Sequence, residues 1–312
     1  MISSETFQHR PVLFAEAITA LAIKPDGIYV DGTFGRGGHA SAIMQQLSEN
    51  GRLLAFDQDP EAIAVAEKMF ADEGRFEIVR CNFESMSDVL GERDLNKKVD
   101  GILLDIGVSS PQLDDAARGF SFMRSGPLDM RMNPDAGESA AEWLANVSEY
   151  DLTTVLMHKG EEKFARRIAS AIVKERVENA ITDTARLAKI IEEAVPIKGK
   201  KHPATKSFQA IRIHINRELE VLKIALQASV DALTVGGRLA VISFHSLEDR
   251  MVKRFMRDLS KGPQLPKDLP IMDADIKQPF KLVGKAIKAG KKELQENPRA
   301  RSSVLRVLER VS

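Results

Sequence analysis

Four short apolar segments alternate with helical segments in the first third of the chain, and this alternation constrains the fold more than any other feature. Segments that are apolar on both sides are typical of parallel strands covered by helices on both faces of a sheet. The four segments, and a fifth that comes much later, are GIYV (27–30), RLLAFD (52–57), RFEIVRCNF (75–83), VDGILLDIG (99–107) and GGRLAVISF (236–244). The pattern predicts an α/β protein with a doubly wound, mostly parallel sheet.

The alternation stops between residues 109 and 217, where the sequence shows no convincing buried strand. Segments such as AAEWLANV and EEKFARRIASAIVKERV have the spacing of amphipathic helices. We therefore expect one α/β domain, residues 1–112 and 218–312, interrupted by a helical insert, residues 113–217, that recognises the substrate. The lone Trp143 and its apolar neighbours are expected to form the core of this insert.

The pattern of strands and helices resumes after the fifth apolar segment. SLEDRMVKRFMRDL has helical spacing, and Ser246 and Asp249 fit the capping box of its first turn. KLVGK and SSVLRVLER near the C-terminus predict two last strands.

The composition narrows the class of protein. The 45 basic and 45 acidic residues give a formal net charge of zero, which argues against coating nucleic acid through bulk charge but is compatible with a local basic face. The single cysteine, Cys81, excludes a disulfide framework and a Cys-rich zinc site, and no residue cluster has metal-ligand spacing, so we expect no metal. No apolar run reaches the roughly twenty residues of a membrane helix, and the N-terminus lacks the layout of a signal peptide. We expect a soluble cytoplasmic protein.

A glycine-rich loop, DGTFGRGGHA (31–40), follows the first predicted strand and precedes a helix. Gly35, Gly37 and Ala40 fit the G-x-G-x-x-A fingerprint of dinucleotide-binding turns, and Asp57 lies about twenty residues further on, where an acid accepts hydrogen bonds from a ribose. This predicts a ligand with a ribose at the carboxyl ends of the strands. The alternative is that the glycines only make a tight turn between strand and helix.

Two cofactors suit this arrangement. A nicotinamide dinucleotide would place its pyrophosphate on the helix N-terminus, whereas S-adenosylmethionine has no phosphate and carries an ammonium and a sulfonium. Asp31 stands directly before the glycines, where its carboxylate would repel a pyrophosphate and attract these cations. Asp31 therefore favours S-adenosylmethionine.

Two further positions suit an adenosyl pocket. Phe83 ends the third predicted strand, where an aromatic ring can stack on adenine, although core packing is an equal alternative. Asp105 ends the fourth predicted strand, near the expected reaction centre, although a carboxylate there can also cap a helix or a turn.

Five blocks of sequence, in order along nearly the whole chain, closely resemble the MraW family of ribosomal RNA methyltransferases. They are DGTFGRGGH, LLDIGVSSPQLDDAARGFSFMRSGPLDMRM, HPATKSFQAIRI, VISFHSLEDR and NPRARSSVLR. The resemblance implies a class I S-adenosylmethionine-dependent methyltransferase with an inserted helical domain. It also implies methylation of the exocyclic N4 amine of a cytidine in the decoding region of small-subunit ribosomal RNA. The cofactor contacts that it implies are Gly37, Gly38, His39, Asp57, Phe83, Asp105 and Gln112.

The chemistry of such a transfer suggests catalytic positions. The amine of cytosine is a poor nucleophile because its lone pair is delocalised into the ring, so it needs acceptors for its N–H groups. We expect Asp105, Ser109 and Ser110 to supply them, with Pro111 shaping the turn. Many amino-methyltransferases have an aromatic residue at this turn and this chain does not; Phe120 or Phe122 is a candidate replacement for stacking on the base.

A neutral protein must concentrate its positive charge to bind RNA. KGKKHPATK (198–206) is the densest basic cluster, and FQAIRIHINREL, with Arg212 and Arg217, comes next. The other candidates are RMVKRFMR (250–257), KAIKAGKK (285–292) and PRARSSVLR (298–306). His202 either contacts RNA or caps a helix, and His245 is expected to be a hydrogen-bonded loop residue. The residues expected to contact RNA are Lys200, Lys201, His202, Lys206 and Arg212.

Other functions stay open at this stage. They are a nicotinamide-dependent oxidoreductase, a non-catalytic RNA-binding ribosome-assembly factor, and the same chemistry on another nucleic acid. The expected partner is small-subunit ribosomal RNA, either naked or in the assembled subunit, and no membrane is expected. The oligomeric state is left open, with a homodimer among the options.

Overall fold

The structure is a computed structural model that describes residues 11–197, 199, 202–261 and 278–312. The chain forms two compact units. The α/β unit comprises the described residues up to Gly107 and from Glu220 onward, and the helical unit is Val108–Leu219. The sequence predicted that the helical insert begins at residue 113 and ends at residue 217, whereas the helical unit begins at Val108 and ends at Leu219. Ser109, Ser110 and Gln112 therefore belong to the helical unit.

The α/β unit is built on one mixed sheet. Its strands are β1 (Ile28–Asp31), β2 (Arg52–Asp57), β3 (Phe76–Arg80), β4 (Val99–Asp105), β5 (Leu233–Ser243), β6 (Phe280–Leu282), β7 (Ile287–Lys288) and β8 (Val304–Arg310). The strand order is β3-β2-β1-β4-β5-β8-β6, with β7 paired to β8. Strands β1 to β5 are parallel to one another, and β8 is antiparallel to β5, β6 and β7. The predicted doubly wound, mostly parallel α/β sheet is confirmed.

The helices fill the intervals between strands and the whole of the helical unit. They are α1 (Phe14–Leu21), α2 (Gly38–Met44), α3 (Pro60–Met69), α4 (Met86–Glu92), α5 (Ser110–Asp114), α6 (Ala140–Asn146), α7 (Glu149–Gly160), α8 (Ala165–Glu178), α9 (Thr184–Ala194), α10 (Ala204–Ile215), α11 (Glu218–Ala232), α12 (Ser246–Lys261) and α13 (Lys291–Glu296). Among the described residues, no helix combines the length and the low polarity that crossing a bilayer requires.

Both faces of the sheet are covered by apolar clusters. In β2, Leu53 and Ala55 belong to the apolar cluster that includes buried residues of α1, α2 and α3, while Leu54 and Phe56 belong to the cluster that includes buried residues of α4, α11 and α12. This alternation gives each strand two buried sides, which is why the strand segments of the sequence are apolar throughout.

The start of α12 differs from the expected Ser246–Asp249 capping box. The backbone N–H of Glu248 donates to Nδ1 of His245 (3.4 Å), and Oε2 of Glu248 accepts from the backbone N–H groups of Phe244 (2.9 Å) and His245 (3.2 Å). Asp249 instead accepts from the Arg306 guanidinium on β8 (2.8 Å). The prediction was wrong by one residue because the buried Glu248 reaches the free N–H groups and Asp249 faces β8.

The helical unit has an apolar core of its own. Trp143 is buried there with Leu152, Ile168, Leu187 and Phe208, which confirms its predicted place in the core. Reciprocal capping boxes begin α5, between Ser109 and Gln112, and α6, between Ser139 and Glu142. Arg212 and Glu218 form a two-point ion pair, with Nε–Oε1 and Nη2–Oε2 both 2.8 Å.

Candidate functional site

Three aspartates lie where parallel strands end. Asp31 is the last residue of β1, Asp57 of β2 and Asp105 of β4. These strands are neighbours, and the strand order reverses between β1 and β4. The carboxyl ends of the strands on either side of such a reversal form the crevice in which doubly wound proteins bind ligands. The sheet therefore brings these three predicted residues to its ligand-binding edge.

Thr33 ties the ends of β1 and β4 together. Its backbone N–H donates to Oδ1 of Asp31 (3.1 Å), and its Oγ1 accepts from the backbone N–H of Asp105 (2.7 Å). Thr33 was not predicted from the sequence, because a threonine after Asp-Gly carries no signal of a contact with a strand more than seventy residues away. Its effect is to fix the backbone at both carboxylates.

His39 lies in the first turn of α2, with only 5% of its side chain exposed. Its Nε2 is 3.6 Å from Oδ2 of Asp105, and its ring stacks on Phe14 at 5.7 Å between centroids. Within the described chain, Oδ2 of Asp31, Oδ1 of Asp105 and both ring nitrogens of His39 are buried and have no hydrogen-bond partner. Buried polar atoms of native proteins are generally paired, so this group is suited to hold a polar ligand.

The electrostatics of the edge favour a cation. Burial raises the pKa of Asp31 to about 6, an effect that His39 opposes and the charges of Asp105 and Asp57 increase. Burial likewise raises the pKa of Asp57 to about 6, against the hydrogen bonds from Asp59 and Gly35 that lower it. A bound positive charge would stabilise the ionised form of these carboxyls.

The glycine loop is shaped around Asp57. Oδ2 of Asp57 accepts from the backbone N–H of Gly35 (2.8 Å), and Oδ1 accepts from that of Asp59 (2.9 Å). Gly37 has a φ of +76°, and a Cβ there would lie 2.7 Å from Cζ of Phe34, so only glycine fits. Asp57 thus holds the loop that precedes α2, and its expected contact with a ribose stays a prediction.

Phe83 lies beyond the end of β3 rather than at it. The strand stops at Arg80, and Phe83 begins a single 3₁₀ turn, Phe83–Ser85. The ring is partly buried against the apolar cluster on the α4 face of the sheet. Nδ2 of Asn82 donates to Oε1 of Gln58 (3.2 Å) and connects this turn to the end of β2. Asn82 and Gln58 have no motif that would have identified them in the sequence.

Ser109, Ser110 and Gln112 have local roles in the helical unit. The backbone N–H of Ser109 donates to Oε1 of Gln112 (3.0 Å), and Oγ of Ser109 accepts from the backbone N–H of Gln112 (3.4 Å). These bonds begin α5, whose first residue is Ser110. The expected catalytic role of the serines and cofactor role of Gln112 stay predictions.

Three of the expected RNA contacts, His202, Lys206 and Arg212, lie in or just before α10, in the helical unit. Nδ1 of His202 accepts from the backbone N–H of Ala204 (3.2 Å), which is the helix-capping option for this histidine. Nζ of Lys206 donates to the carbonyl of Glu161 (2.8 Å). The Arg212 guanidinium is largely buried in its pair with Glu218. Lys200 and Lys201 lie outside the described residues.

The two aromatic candidates for stacking on a base differ in exposure. Phe120 is buried in the core of the helical unit, so its ring is not available to a base. Phe122 is only partly buried and packs on His202 and Phe208, with ring centroids at 4.7 and 4.8 Å.

S-adenosylmethionine fits the edge of the α/β unit. Its ammonium and sulfonium are cations, and the unpartnered oxygens of Asp31 and Asp105 are acceptors that suit them. A pyrophosphate would meet the same carboxylates with an unfavourable charge. These carboxylate oxygens therefore support the prediction from the sequence that the ligand is S-adenosylmethionine and not a dinucleotide.

Comparisons with known proteins agree with this chemistry. The sequence model of the MraW methylase family matches residues 6–311. A relative from Pseudoalteromonas atlantica, named ribosomal RNA small subunit methyltransferase H, is 60% identical over 306 residues, which cover 97% of this chain and 98% of that protein.

Two solved structures have a distant likeness to this chain. An rRNA methylase from Streptococcus thermophilus has 13% sequence identity and a TM-score of 0.39, covering 98% of this chain and 99% of its own. NSun6 from Pyrococcus horikoshii with SFG has 15% identity and a TM-score of 0.44, covering 97% of this chain and 53% of its own. The family match over nearly the whole length, together with the 60% identical relative, establishes that this chain belongs to the MraW methylase family.

Proposed function

We propose that this chain transfers a methyl group from S-adenosylmethionine to the exocyclic N4 amine of a cytidine in the decoding region of small-subunit ribosomal RNA, in the cytoplasm. Membership of the MraW methylase family makes the chain a methyltransferase. The name of the 60% identical relative supports ribosomal RNA of the small subunit as the substrate. The observation that carries the chemistry is the group of buried, unpartnered polar atoms of Asp31, His39 and Asp105 at the reversal of strand order.

The residues that would hold the cofactor form two groups: carboxylates that attract its positive charges, and further contacts implied by the family resemblance. The unpartnered Oδ2 of Asp31 attracts its cationic groups, and the charge of Asp105 adds to this attraction without a contact from its Oδ1, which is assigned to the base. When bound, S-adenosylmethionine supplies an electrophilic methyl group on a positively charged sulfur. The remaining contacts carried over from the family resemblance are the loop residues Gly37, Gly38 and His39, with Asp57, Phe83 and Gln112.

Asp105 is the acceptor best suited to the amine of the base. It ends β4 beside the reversal of strand order, its backbone is fixed by Thr33, and its Oδ1 has no hydrogen-bond partner among the described residues. A carboxylate oxygen that accepts an N–H of the amine draws the lone pair out of conjugation with the ring and takes up the proton as the N–C bond forms. Orientation matters as much, because reacting atoms must be held about 3 Å apart and in line.

His39 is placed to act on Asp105. Its Nε2 lies 3.6 Å from Oδ2 of Asp105, whereas the oxygen without a hydrogen-bond partner is Oδ1. A hydrogen bond from Nε2 to Oδ2 would fix the orientation of the Asp105 side chain toward the base, so we assign His39 a positioning role. Ser109 and Ser110 complete the proposed set of acceptors; their assignment rests on the sequence block that they share with Asp105.

The proposed RNA contacts in the helical unit are Lys200, Lys201, His202, Lys206 and Arg212. His202 lies just before α10 and Lys206 lies in its first turn, so the two side chains are close together along the chain, as a shared contact with RNA requires. Arg212 is held by the buried Glu218, so it would act by fixing the end of α10 more than by touching phosphate.

Mapping the methylated nucleotide tests the proposal. Small ribosomal subunits from cells that lack the enzyme, and naked ribosomal RNA in a parallel reaction, are incubated with the protein and labelled S-adenosylmethionine. We expect the label in N4-methylcytidine at one position of the decoding region, and the more active of the two reactions identifies the substrate form. Label on another nucleotide or on another atom of cytosine, or no label in either reaction, would contradict the proposal.

A further inference from the structure

Helix α12 (Ser246–Lys261) carries a row of exposed basic side chains. At 3.6 residues per turn they fall within an arc of about 100° on one side of the helix. The buried side chains Glu248, Val252 and Met256 are on the opposite side. We call this row the α12 stripe; its members are Arg250, Lys253, Arg254, Arg257 and Lys261.

The acids of α12 do not pair with Lys253 or Arg254, the two cations in the middle of the stripe. Glu248 is fully buried and accepts from backbone N–H groups at the start of the helix. Asp249 is paired with Arg306 of β8 (2.8 Å), and Asp258 is paired with Arg257 (2.7 Å). Within the part of the chain that the structure describes, Lys253 and Arg254 have no ion-pair partner. In a chain with zero formal net charge, such a local excess is a concentrated positive surface.

The α12 stripe starts at the edge of the sheet that carries the proposed active site. Helix α12 follows directly on β5, and Ile242 near the end of β5 is in register with Asp105 of β4. The first stripe residue, Arg250, therefore lies about one helical turn from the carboxyl edge of the sheet.

A second basic segment lies at the same edge. Ser243, the last residue of β5, is in register with Val304, the first residue of β8. Just before β8, the 3₁₀ turn Pro298–Ser302 carries Arg299 and Arg301, both exposed. Two separate elements of the α/β unit thus place exposed arginines beside the end of β5.

We propose that the α12 stripe, together with Arg299 and Arg301, binds the sugar-phosphate backbone of the RNA substrate. The inference rests on the proposed function, because that function makes the ligand RNA. One or two cations per helical turn, about 5.4 Å apart along the axis, suit a polyanion that passes over the helix. The stripe has no aromatic member, so it contacts phosphates and positions the strand without reading its bases.

Salt-dependent binding of RNA by charge variants tests this surface. The variant Lys253→Gln/Arg254→Gln is compared with wild type in its affinity for a fluorescein-labelled transcript of the small-subunit decoding region, between about 50 and 200 mM salt. Loss of two phosphate contacts lowers the slope of log K against log salt by about 1.4 to 1.8 and weakens binding roughly tenfold. The matched control is Arg52→Gln/Lys98→Gln, which removes the same charge at exposed positions at the amino ends of β2 and β4. We expect the control to keep the wild-type slope.

Each outcome separates this inference from the proposed function. A stripe variant that keeps the wild-type slope and affinity would overturn the inference, and so would equal losses in the stripe and control variants. Binding of the wild type to phosphatidylglycerol vesicles but not to the transcript would identify the stripe as a lipid-binding surface and would also overturn it. Thermal stabilisation by S-adenosylmethionine shows that each variant is folded. If the wild type methylates no ribosomal RNA in the mapping experiment, the proposed function fails, and the salt slope still decides whether the stripe binds RNA.

Discussion

The two units of this chain treat their buried polar groups differently. In the helical unit, buried Ser139, Thr184 and Glu218 all have hydrogen-bond partners. Over the described residues, Oγ of Ser207 is the one buried side-chain atom of that unit without a partner. In the α/β unit, such atoms gather at the carboxyl edge of the sheet, on Asp31, His39 and Asp105 and, just after β5, on His245 and Glu248.

This difference separates a scaffold from a binding site. Each buried polar group without a partner costs about 1–3 kcal/mol, so a fold keeps a cluster of them where a ligand supplies the missing partners. Apart from Ser207, the described residues of the helical unit pair their buried polar side chains within the protein, so we call it the saturated unit; its own core stabilises it. The α/β unit keeps unpaired polar groups at the edge where we propose that methyl transfer takes place.

The largest effect is expected at the unsaturated edge. Asp105→Asn removes the carboxylate that we propose accepts the proton of the amine, and methyl transfer to RNA at saturating S-adenosylmethionine should fall by about 100-fold or more. The matched control is Asp88→Asn on the exposed part of α4, which should keep wild-type turnover. Near-normal turnover of Asp105→Asn would remove Asp105 from the mechanism.

The saturated unit should respond in its stability. Leu152→Ala opens a cavity beside fully buried neighbours in the helical core and should lower the free energy of unfolding by about 2–5 kcal/mol. Trp143 is the only tryptophan of the chain and lies in this core, so its fluorescence during urea unfolding reports on the helical unit. A loss below about 1 kcal/mol would mean that the helical core is loosely packed.

The raised pKa values of the edge predict a dependence on pH. The pKa of Asp31 is raised to about 6 from an ordinary value of 3.8, so the folded protein binds this proton more tightly than the unfolded chain. Its contribution to stability is therefore fully present below pH 4 and is lost as the pH rises through about 6. A cationic ligand needs the ionised form, so the affinity for S-adenosylmethionine should rise about tenfold between pH 5 and pH 7. Calorimetry measures this rise, and we expect a smaller one in Asp31→Asn; an equal rise in both proteins would exclude Asp31 as its source.

The smallest effect is expected at a helix start in the saturated unit. Oγ of Ser139 accepts from the backbone N–H of Glu142 (3.3 Å), and Ser139→Ala removes this cap of α6. The free energy of unfolding followed by Trp143 should fall by about 1 kcal/mol. Ser170→Ala, at an exposed position of α8, is the control and should change it little. Equal changes in the two variants would show that the capping box contributes nothing.

The parts of this protein that are local in sequence were predictable, and those that join distant segments were not. The apolar strand segments and the acids that end β1, β2 and β4 follow from residue pattern alone, because parallel strands place their carboxyl ends at one edge. The hydrogen bond between Thr33 and Asp105 joins residues 72 positions apart, and no pattern in either segment predicts it. The cap of α12 was misassigned because burial, which the sequence does not state, decides between Glu248 and Asp249. Phe120 and Arg212 were candidate RNA contacts by residue type, and their burial was likewise invisible in the sequence.

The most direct test of the central claim is a calorimetric titration of the native chain with S-adenosylmethionine and, separately, with NAD at neutral pH. We predict that unpaired carboxylates at the sheet edge select the cationic adenosyl ligand, so S-adenosylmethionine binds and NAD gives no measurable heat of binding. Equal binding of the two ligands, or no binding of S-adenosylmethionine either alone or with the RNA target present, would contradict it.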